Sequence, residues 1–333
     1  MDLRKRIALM GLLVLSLGSL DVYAQWTWTP QTGRWVNLKR LPKETPQLQI
    51  EYARSLLLEG NYDKAWRETR KFTTFYEDSE FRDDNQFLRG EIRMAQGKLL
   101  EGAKEFQSLI ATYPETDHYD EAIAKQYEIG DRYFERGQKK MDDKWTLWKK
   151  RPLKRAVEVY SMVVENQPFT SEAARAQYQI GLCRYTTENY LEAAFDYRRV
   201  IEDYAGSDWV DEASYGLAMC YYDMSLPADY DQTPSQLTID AVESFANRYP
   251  DDERLPDLRV KQAEMQERIA QQQLLTAKFY EKRRKFGSAK IYYEVVVDKY
   301  PDSDAAQTAS AWLEAHQGVE HIGSPLPETV TVQ

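Results

Sequence analysis

The sequence LLTAKFYEKRRKFGSAKIYYEVVVDKYPDSD, residues 274–304, decides the fold of this chain. Small residues stand twelve positions apart in it, at Ala277 and Ala289, and Pro301 follows the second apolar run. Two helices can pack closely only where a small side chain leaves room at the point of contact. The Pro then ends the second helix and turns the chain. This stretch therefore predicts a helical hairpin.

Pairs of small residues with the same spacing recur along the chain. They lie at Ala53/Ala65, Gly90/Gly102, Gly181/Ala193 and, across an insertion, Gly130/Ala156. A Tyr-Pro landmark or a degenerate form of it follows the pairs, and 37 residues separate Tyr76 from Tyr113. The first and fifth copies depart from the pattern, because Glu77 replaces the Pro and Thr238 replaces the second small residue. Six copies in register indicate a repeat protein.

The pattern resembles the tetratricopeptide repeat family, in which an aromatic residue follows each small position and a Pro closes the unit. In the last copy these aromatic residues are Tyr280 and Tyr293. The resemblance implies an all-α fold, a tetratricopeptide-type α-solenoid of about six helical hairpins over residues 45–316. A C-terminal capping helix is expected over residues 304–316. The alternative is a helical bundle without repeats.

The first 24 residues have the pattern of a cleaved signal peptide. Arg4, Lys5 and Arg6 form a positive start, residues 7–20 are apolar, and Ala24 ends a signal-peptidase site. A retained membrane anchor is the alternative, but a span needs about 20 apolar residues. We therefore predict export to the periplasm, with cleavage after Ala24.

Four segments fall outside the repeat pattern. Residues 25–44 are rich in Trp and Pro and are predicted to be extended, either covering the open edge of the first hairpin or binding a partner. Insertions at 137–155 and 225–235 interrupt the third and fifth hairpins. The tail at 317–333 is predicted to be flexible.

The insertion at 137–155 is basic in an acidic chain. It holds eight cationic residues and two aspartates, a net charge of +6, whereas the whole chain carries −10. We predict that it docks an acidic partner or anionic lipid headgroups. The residues assigned to this role are Trp145, Trp148, Lys149, Lys150 and Arg151. The alternative is a solvated extension of two helices with the tryptophans packed back on the hairpin.

The residue inventory argues against several functions. A net charge of −10 disfavours nucleic acid as a partner, because phosphate binding needs a basic face. The three histidines form no catalytic pattern with a Ser or a Cys, and they do not have the spacing of metal ligands. The sequence contains no phosphate-binding glycine loop. We predict no enzymatic activity, no cofactor and no metal. Cys183 and Cys220 lie one repeat apart, where equivalent helices stand about 8–10 Å apart, so two buried thiols are expected rather than a disulfide.

The first helices of stacked hairpins are expected to line a concave face. Positions 5 and 12 of the repeat, counted so that the first small residue is position 8, fall on one stripe of these helices. We predict that they form a peptide-binding groove for extended chains with aromatic side chains. The residues are Ile50, Phe87, Tyr127 and Tyr178 at position 5, and Leu57, Met94, Phe134 and Tyr185 at position 12. The alternative is that position 12 is buried and only position 5 is exposed.

Residues 172–316 resemble the BamD family of outer-membrane protein assembly factors more closely. The resemblance is carried by the Asp/Pro loop 229–234, the landmark Arg248-Tyr249-Pro250, a long helix from about Leu255 to Arg284, and the closing stretch 277–303. It implies a periplasmic scaffold whose first repeats bind unfolded β-barrel proteins. Its last repeats, here roughly 255–316, would dock on the barrel-bearing assembly subunit.

The chain departs from that family at the signal peptide. Family members carry a lipidated Cys there, whereas Gln25 follows Ala24 in this sequence. We therefore expect peripheral association with the outer membrane through a partner. The alternative function is a periplasmic repeat scaffold that coordinates cell-wall synthesis or division.

Overall fold

The computed structural model describes residues 26–29, 34–37, 41–141 and 150–318. The predicted signal peptide and all but the first two residues of the predicted tail lie outside these ranges. Within the Trp-rich segment, β1 (Trp26–Thr29) and β2 (Arg34–Asn37) form an antiparallel pair whose register places Trp28 opposite Trp35 along the backbone. The indole of Trp28 is about half exposed.

Thirteen α-helices make up the rest of the described chain, and they confirm the predicted all-α, tetratricopeptide-type class. Six helical hairpins are followed by a capping helix. The first unit, residues 1–122, holds α1 (Pro46–Leu58), α2 (Tyr62–Phe75), α3 (Arg82–Ala95), α4 (Leu99–Thr112) and the first residues of α5 (Tyr119–Met141). The second unit, residues 123–333, holds the rest of α5, then α6 (Arg151–Asn166), α7 (Ser171–Thr186), α8 (Tyr190–Asp203), α9 (Val210–Met224), α10 (Thr233–Arg248), α11 (Leu255–Lys282), α12 (Phe286–Lys299) and the capping helix α13 (Asp304–Ala315).

In the second, third and fourth hairpins, the first small residue lies against an aromatic ring of the facing helix. A Cβ built on Gly90 would lie 2.4 Å from the ring of Phe106, and one on Gly181 would lie 2.8 Å from the ring of Tyr197. Tyr197 is fully buried. In these hairpins an aromatic side chain of the second helix therefore reaches the backbone of the first helix, which explains why the first small residue is Gly.

The third hairpin is longer than the others. Helix α5 continues to Met141 and α6 begins at Arg151, so much of the predicted insertion is helical. Gly137 packs against Leu153 just as Gly130 packs against Tyr160. From the first pair to the second, the contact moves forward along α5 by as many residues as it moves back along α6. The two antiparallel helices therefore keep the same register through the extension. Residues 142–149 lie outside the described chain.

The fifth hairpin has a shorter connection than the sequence suggested. Helix α10 begins at Thr233, with Pro234 in its first turn, so the loop spans residues 225–232. Ser235 is buried within the helix. Pro at the start of a helix costs nothing, since the first backbone N–H groups lack helical acceptors. This is why a Pro-containing stretch that resembled a loop begins a helix.

Both cysteines are free and buried, as expected from the spacing. Burial raises the pKa of the Cys220 thiol to about 12 and raises that of Cys183 as well. Both side chains are therefore neutral thiols at physiological pH and act as small apolar core residues.

Candidate protein-binding surfaces

Three residues of the predicted groove belong to the core instead. Ile50, Phe87 and Tyr127 are each less than a tenth exposed. The ring of Phe87 lies 5.4 Å from that of Phe106 and is stacked 4.5 Å from the imidazole of His118. These side chains offer no surface to a peptide, so the expectation that position 5 faces an open groove is corrected.

The physical reason is that position 5 fills the gap between successive hairpins. Phe87 stacks on His118, and Tyr178 stacks on Trp209 with ring centroids 5.1 Å apart. In both cases the partner lies 31 residues further along and directly precedes the next first helix. Burial raises the pKa of the half-buried Tyr178 to about 12. Each of these contacts joins residues of two different repeats. The sequence pattern of a single repeat therefore cannot reveal it.

The four position-12 residues, Leu57, Met94, Phe134 and Tyr185, are each half-buried. The hydroxyl of Tyr185 donates to Asp223 Oδ2 at 2.5 Å, and its ring packs 5.4 Å from that of Tyr190. A peptide-binding role for these four side chains stays a prediction.

Of the five residues assigned to partner or lipid docking, the structure describes two. Trp145, Trp148 and Lys149 lie outside the described residues. Lys150 Nζ donates to the carbonyl of Thr187 at 2.7 Å and forms an ion pair with Glu188 at 3.0 Å. Lys150 therefore joins the third hairpin to the turn of the fourth. Arg151, the first residue of α6, is exposed.

A groove that sequence reasoning missed runs between α8 and α10, the second helices of the fourth and fifth hairpins. Its volume is about 510 Å³, and α9 lies beneath it. Its apolar lining comes from all three helices, with Ile201 on α8, Leu217 and Tyr221 on α9, and Leu237, Ala241 and Phe245 on α10. Pockets of this size and character bind small molecules or anchor side chains of a partner.

Charges of both signs stand around this groove. Arg198 and Glu202 lie on the α8 side, and Asp240 and Arg248 lie on the α10 side. The Arg198 guanidinium donates to the Tyr221 hydroxyl, which fixes it over the apolar lining. An apolar floor with a rim of mixed charge suits a peptide segment that carries an apolar anchor. Ile201 and Leu237, both half-exposed, are the sequence signal of this groove, but they lie on second helices, outside the stripe of first-helix residues expected to bind peptides.

A second surface is formed by the loop 225–232 against α11. Arg268 Nη1 donates to Ser225 Oγ at 2.6 Å, and Gln272 Nε2 donates to the Tyr230 carbonyl at 3.2 Å. The exposed side chains of Leu226 and Tyr230 lie on this loop. Leu275, half exposed, follows Gln272 by three residues and shares its helix face.

The loop is ordered from within by a buried amide. Gln232 Nε2 faces the carbonyls of Leu226, Pro227 and Tyr230 at 3.4, 2.8 and 3.1 Å, and its Oε1 accepts from Ser235 Oγ at 2.8 Å. Asp231 accepts from the backbone N–H and the hydroxyl of Thr233, and these hydrogen bonds lower the pKa of its carboxyl group. The loop therefore presents Leu226 and Tyr230 from a defined backbone.

These hairpins and apolar surfaces define the class of the molecule as a helical-repeat protein of the tetratricopeptide type. A family model described as outer membrane lipoprotein (YfiO) matches residues 133–321, more than half of the chain. The chain therefore belongs to the YfiO family of outer membrane lipoproteins. The match lies within the second unit, which holds both the groove and the loop surface.

A curated relative is the outer membrane protein assembly factor BamD of Caulobacter vibrioides. It is 24% identical over 145 residues, which cover 44% of this chain and 48% of the relative. The chain thus spans about half the length of the curated relative that it matches. The resemblance to this family seen in the sequence is confirmed.

Solved structures of tetratricopeptide repeat proteins are similar at low identity. One from Parabacteroides merdae has a TM-score of 0.32 at 15% identity and covers 81% of this chain and 97% of its own. One from Thermus thermophilus has a TM-score of 0.32 at 14% identity and covers 66% of this chain and 98% of its own. Among the described helices, none has the length and apolar character needed to cross a bilayer.

Proposed function

We propose that this chain is a periplasmic, non-enzymatic scaffold in the assembly of outer-membrane β-barrel proteins. It binds extended segments of unfolded outer-membrane proteins, and it docks on a membrane-embedded subunit of the assembly machinery. Membership of the YfiO family supports the role, as does the relative named as an assembly factor. The observation that carries the proposal is the apolar groove of about 510 Å³ between α8 and α10, inside the matched range.

The groove is assigned to substrate segments. Strands of β-barrel proteins alternate apolar and polar side chains, so an unfolded strand offers an apolar anchor every second residue. Leu217 and Leu237 provide apolar contact for such an anchor, and the charged rim holds the polar residues on either side. Half-buried Tyr185 and Phe134, on first helices, are a second candidate contact for substrate segments.

The loop surface is assigned to the membrane-embedded partner. Leu226, Tyr230 and Leu275 are exposed apolar side chains on a backbone that Gln232 and Arg268 hold in place. A preorganised surface loses little conformational entropy on binding, which favours a lasting protein contact. Peripheral membrane association then follows from this partner.

The substrate assignment is tested by filling the groove. Ser244 is exposed at its rim, so Ser244→Trp adds a large side chain there without disturbing the core. Leu191→Trp introduces the same side chain at an exposed position of α8 that does not line the groove. Fluorescence anisotropy with a labelled peptide from a β-barrel strand should show at least about tenfold weaker binding for Ser244→Trp only. Equal binding by both variants would exclude the groove as the substrate site.

The partner assignment is tested separately by co-purification from detergent extracts. The barrel-bearing assembly subunit should be recovered with the wild-type chain and lost with a Leu226→Asp/Tyr230→Asp variant. Recovery of cell-wall synthesis or division enzymes in its place would contradict the proposal and support the alternative scaffold role.

A further inference from the structure

The turn between α11 and α12 is strongly cationic. Five exposed cations, Lys278, Lys282, Arg283, Arg284 and Lys285, accompany a single carboxylate, Glu281. Residues 278–285 thus carry a net charge of +4 in a chain whose total is −10. None of the five has a carboxylate of a described residue within the 4.0 Å of an ion pair.

Glu281 does not neutralise this surface, because its carboxylate is engaged by the core. The Tyr293 hydroxyl donates to Oε2 at 2.7 Å, and the Trp312 indole N–H donates to Oε1 at 2.9 Å. Tyr293 is buried and stacked on Trp312 with ring centroids 4.3 Å apart. The negative charge is therefore directed toward the capping helix, while the cations face solvent.

The backbone conformation places Arg284 at the tip of the turn. Arg284 has a φ of +59° in the left-handed region, and its N–H donates to the carbonyl three residues back. Gly60 and Gly97 occupy the equivalent turn positions, with φ of +77° and +73° and the same hydrogen bond. This conformation favours Gly over any residue with a Cβ. Glu188 occupies the same turn position in the fourth hairpin, with a φ of +64° and the same hydrogen bond, so this conformation belongs to the repeat. In the last hairpin it places a cationic residue, Arg284, at the exposed tip of the turn.

Exposed aromatic side chains flank the cations. Phe279 is 49% exposed and Phe286 is 39% exposed. The Arg283 guanidinium lies 4.1 Å from the centroid of the Phe279 ring. Cations interleaved with exposed phenyl groups match the interface of a membrane, where cations meet headgroups and the rings reach the acyl boundary. An acidic protein segment would use the charges but leave both rings in water.

We propose that this cationic turn, defined as residues 278–286, docks on a membrane surface that carries anionic phospholipids. It supplies an attachment of the chain's own, beside any protein partner, and does not depend on the substrate or partner proposed above. Each cation near an anionic surface strengthens the attachment roughly fivefold, and salt screens this attraction.

Vesicle flotation of the full chain tests the proposal. The probes are phosphatidylcholine vesicles with and without phosphatidylglycerol, and the variant is Arg283→Gln/Arg284→Gln/Lys285→Gln. The wild-type chain should float only with the anionic vesicles, less so at high salt, and the variant should partition on the order of 100-fold more weakly. The matched control, Arg54→Gln/Arg67→Gln/Arg70→Gln, removes the same charge from exposed positions of the first hairpin and should stay within about twofold of wild type.

The variant Phe279→Ser distinguishes a membrane surface from an acidic protein as the binding partner of the cationic turn. Because the ring is half exposed, the variant should keep the helical circular dichroism spectrum while losing part of the vesicle binding. Equal vesicle binding by the wild type and the triple Gln variant would overturn the proposal. Poly-glutamate serves as the probe for an acidic protein. The proposal would also be overturned if the wild-type chain bound poly-glutamate through these three cations but did not float with anionic vesicles.

Discussion

Replacing Asp196 with Asn tests whether burial, rather than the ion pair with Arg184, determines the pKa of this carboxyl group. Asp196 lies on α8 with only 3% of its surface exposed. Gln177 Nε2 donates to Oδ1 at 2.9 Å, and Arg184 Nη1 lies 2.9 Å from Oδ2. Burial raises the pKa of Asp196 from 3.8 to about 6, against the opposing effect of Arg184, whose side chain is one-third exposed.

The sign of the pH dependence follows from this shift. The folded chain binds the proton more tightly than the unfolded chain, so stability is gained as pH falls from about 6 toward 4 and lost as pH rises. At about pH 4.5 the shift corresponds to about 2 kcal/mol of extra stability relative to about pH 7.5. Asp196→Asn removes the titrating group and should remove this part of the pH dependence.

Urea denaturation followed by circular dichroism at the two pH values measures the effect. The wild type should lose about 2 kcal/mol more than Asp196→Asn between acidic and neutral pH. Asp203→Asn, an exposed carboxylate on the same helix that pairs with Arg199, is the matched control and should behave as wild type. A wild type that instead gains stability over Asp196→Asn as pH rises would show that Arg184 outweighs burial and would refute the reasoning.

Two further changes test the packing. Gly181→Ala places a methyl group 2.8 Å from the buried Tyr197 ring and should destabilise the chain by about 1–3 kcal/mol. Gly206→Ala meets no atom within 4 Å and should change the melting temperature little, so equal melting of the two would contradict the proposed ring contact. Phe87→Ala should cost about 3–5 kcal/mol in urea because the ring is core. Phe195→Ala, at a 60% exposed ring, should be close to neutral, and a fully stable Phe87→Ala protein would restore the open groove at position 5.

The repeat architecture could be predicted because it is encoded locally. The distance from Gly90 to Gly102 and Pro114 after the second helix are both visible within one hairpin, and both follow from helix contact and helix termination. The capping helix, expected at 304–316, is observed as Asp304–Ala315. The long helix expected from about Leu255 to Arg284 is observed as Leu255–Lys282.

The surfaces could not be predicted in the same way, because they depend on contacts between repeats. Tyr178 has the pattern of a groove residue, but Trp209 of the next repeat covers it. The groove between α8 and α10 needs Ile201 and Leu237 to face each other across α9, which no single repeat specifies. The cationic turn was visible as four consecutive basic residues, but the inward direction of Glu281 required the structure.

Helix α11 places two of the proposed contacts on one rigid element. It packs on α10 near its start and on α12 and α13 near its end, without interruption over 28 residues. Fourteen residues separate Arg268, which holds the loop surface, from Lys282, an axial rise of about 21 Å. If the basic end rests on lipid headgroups, the helix acts as a spacer, and Leu226 and Tyr230 can stand no more than about that distance above the bilayer. Each helical turn inserted between Arg268 and Lys282 would then move the partner contact about 5.4 Å further from the bilayer.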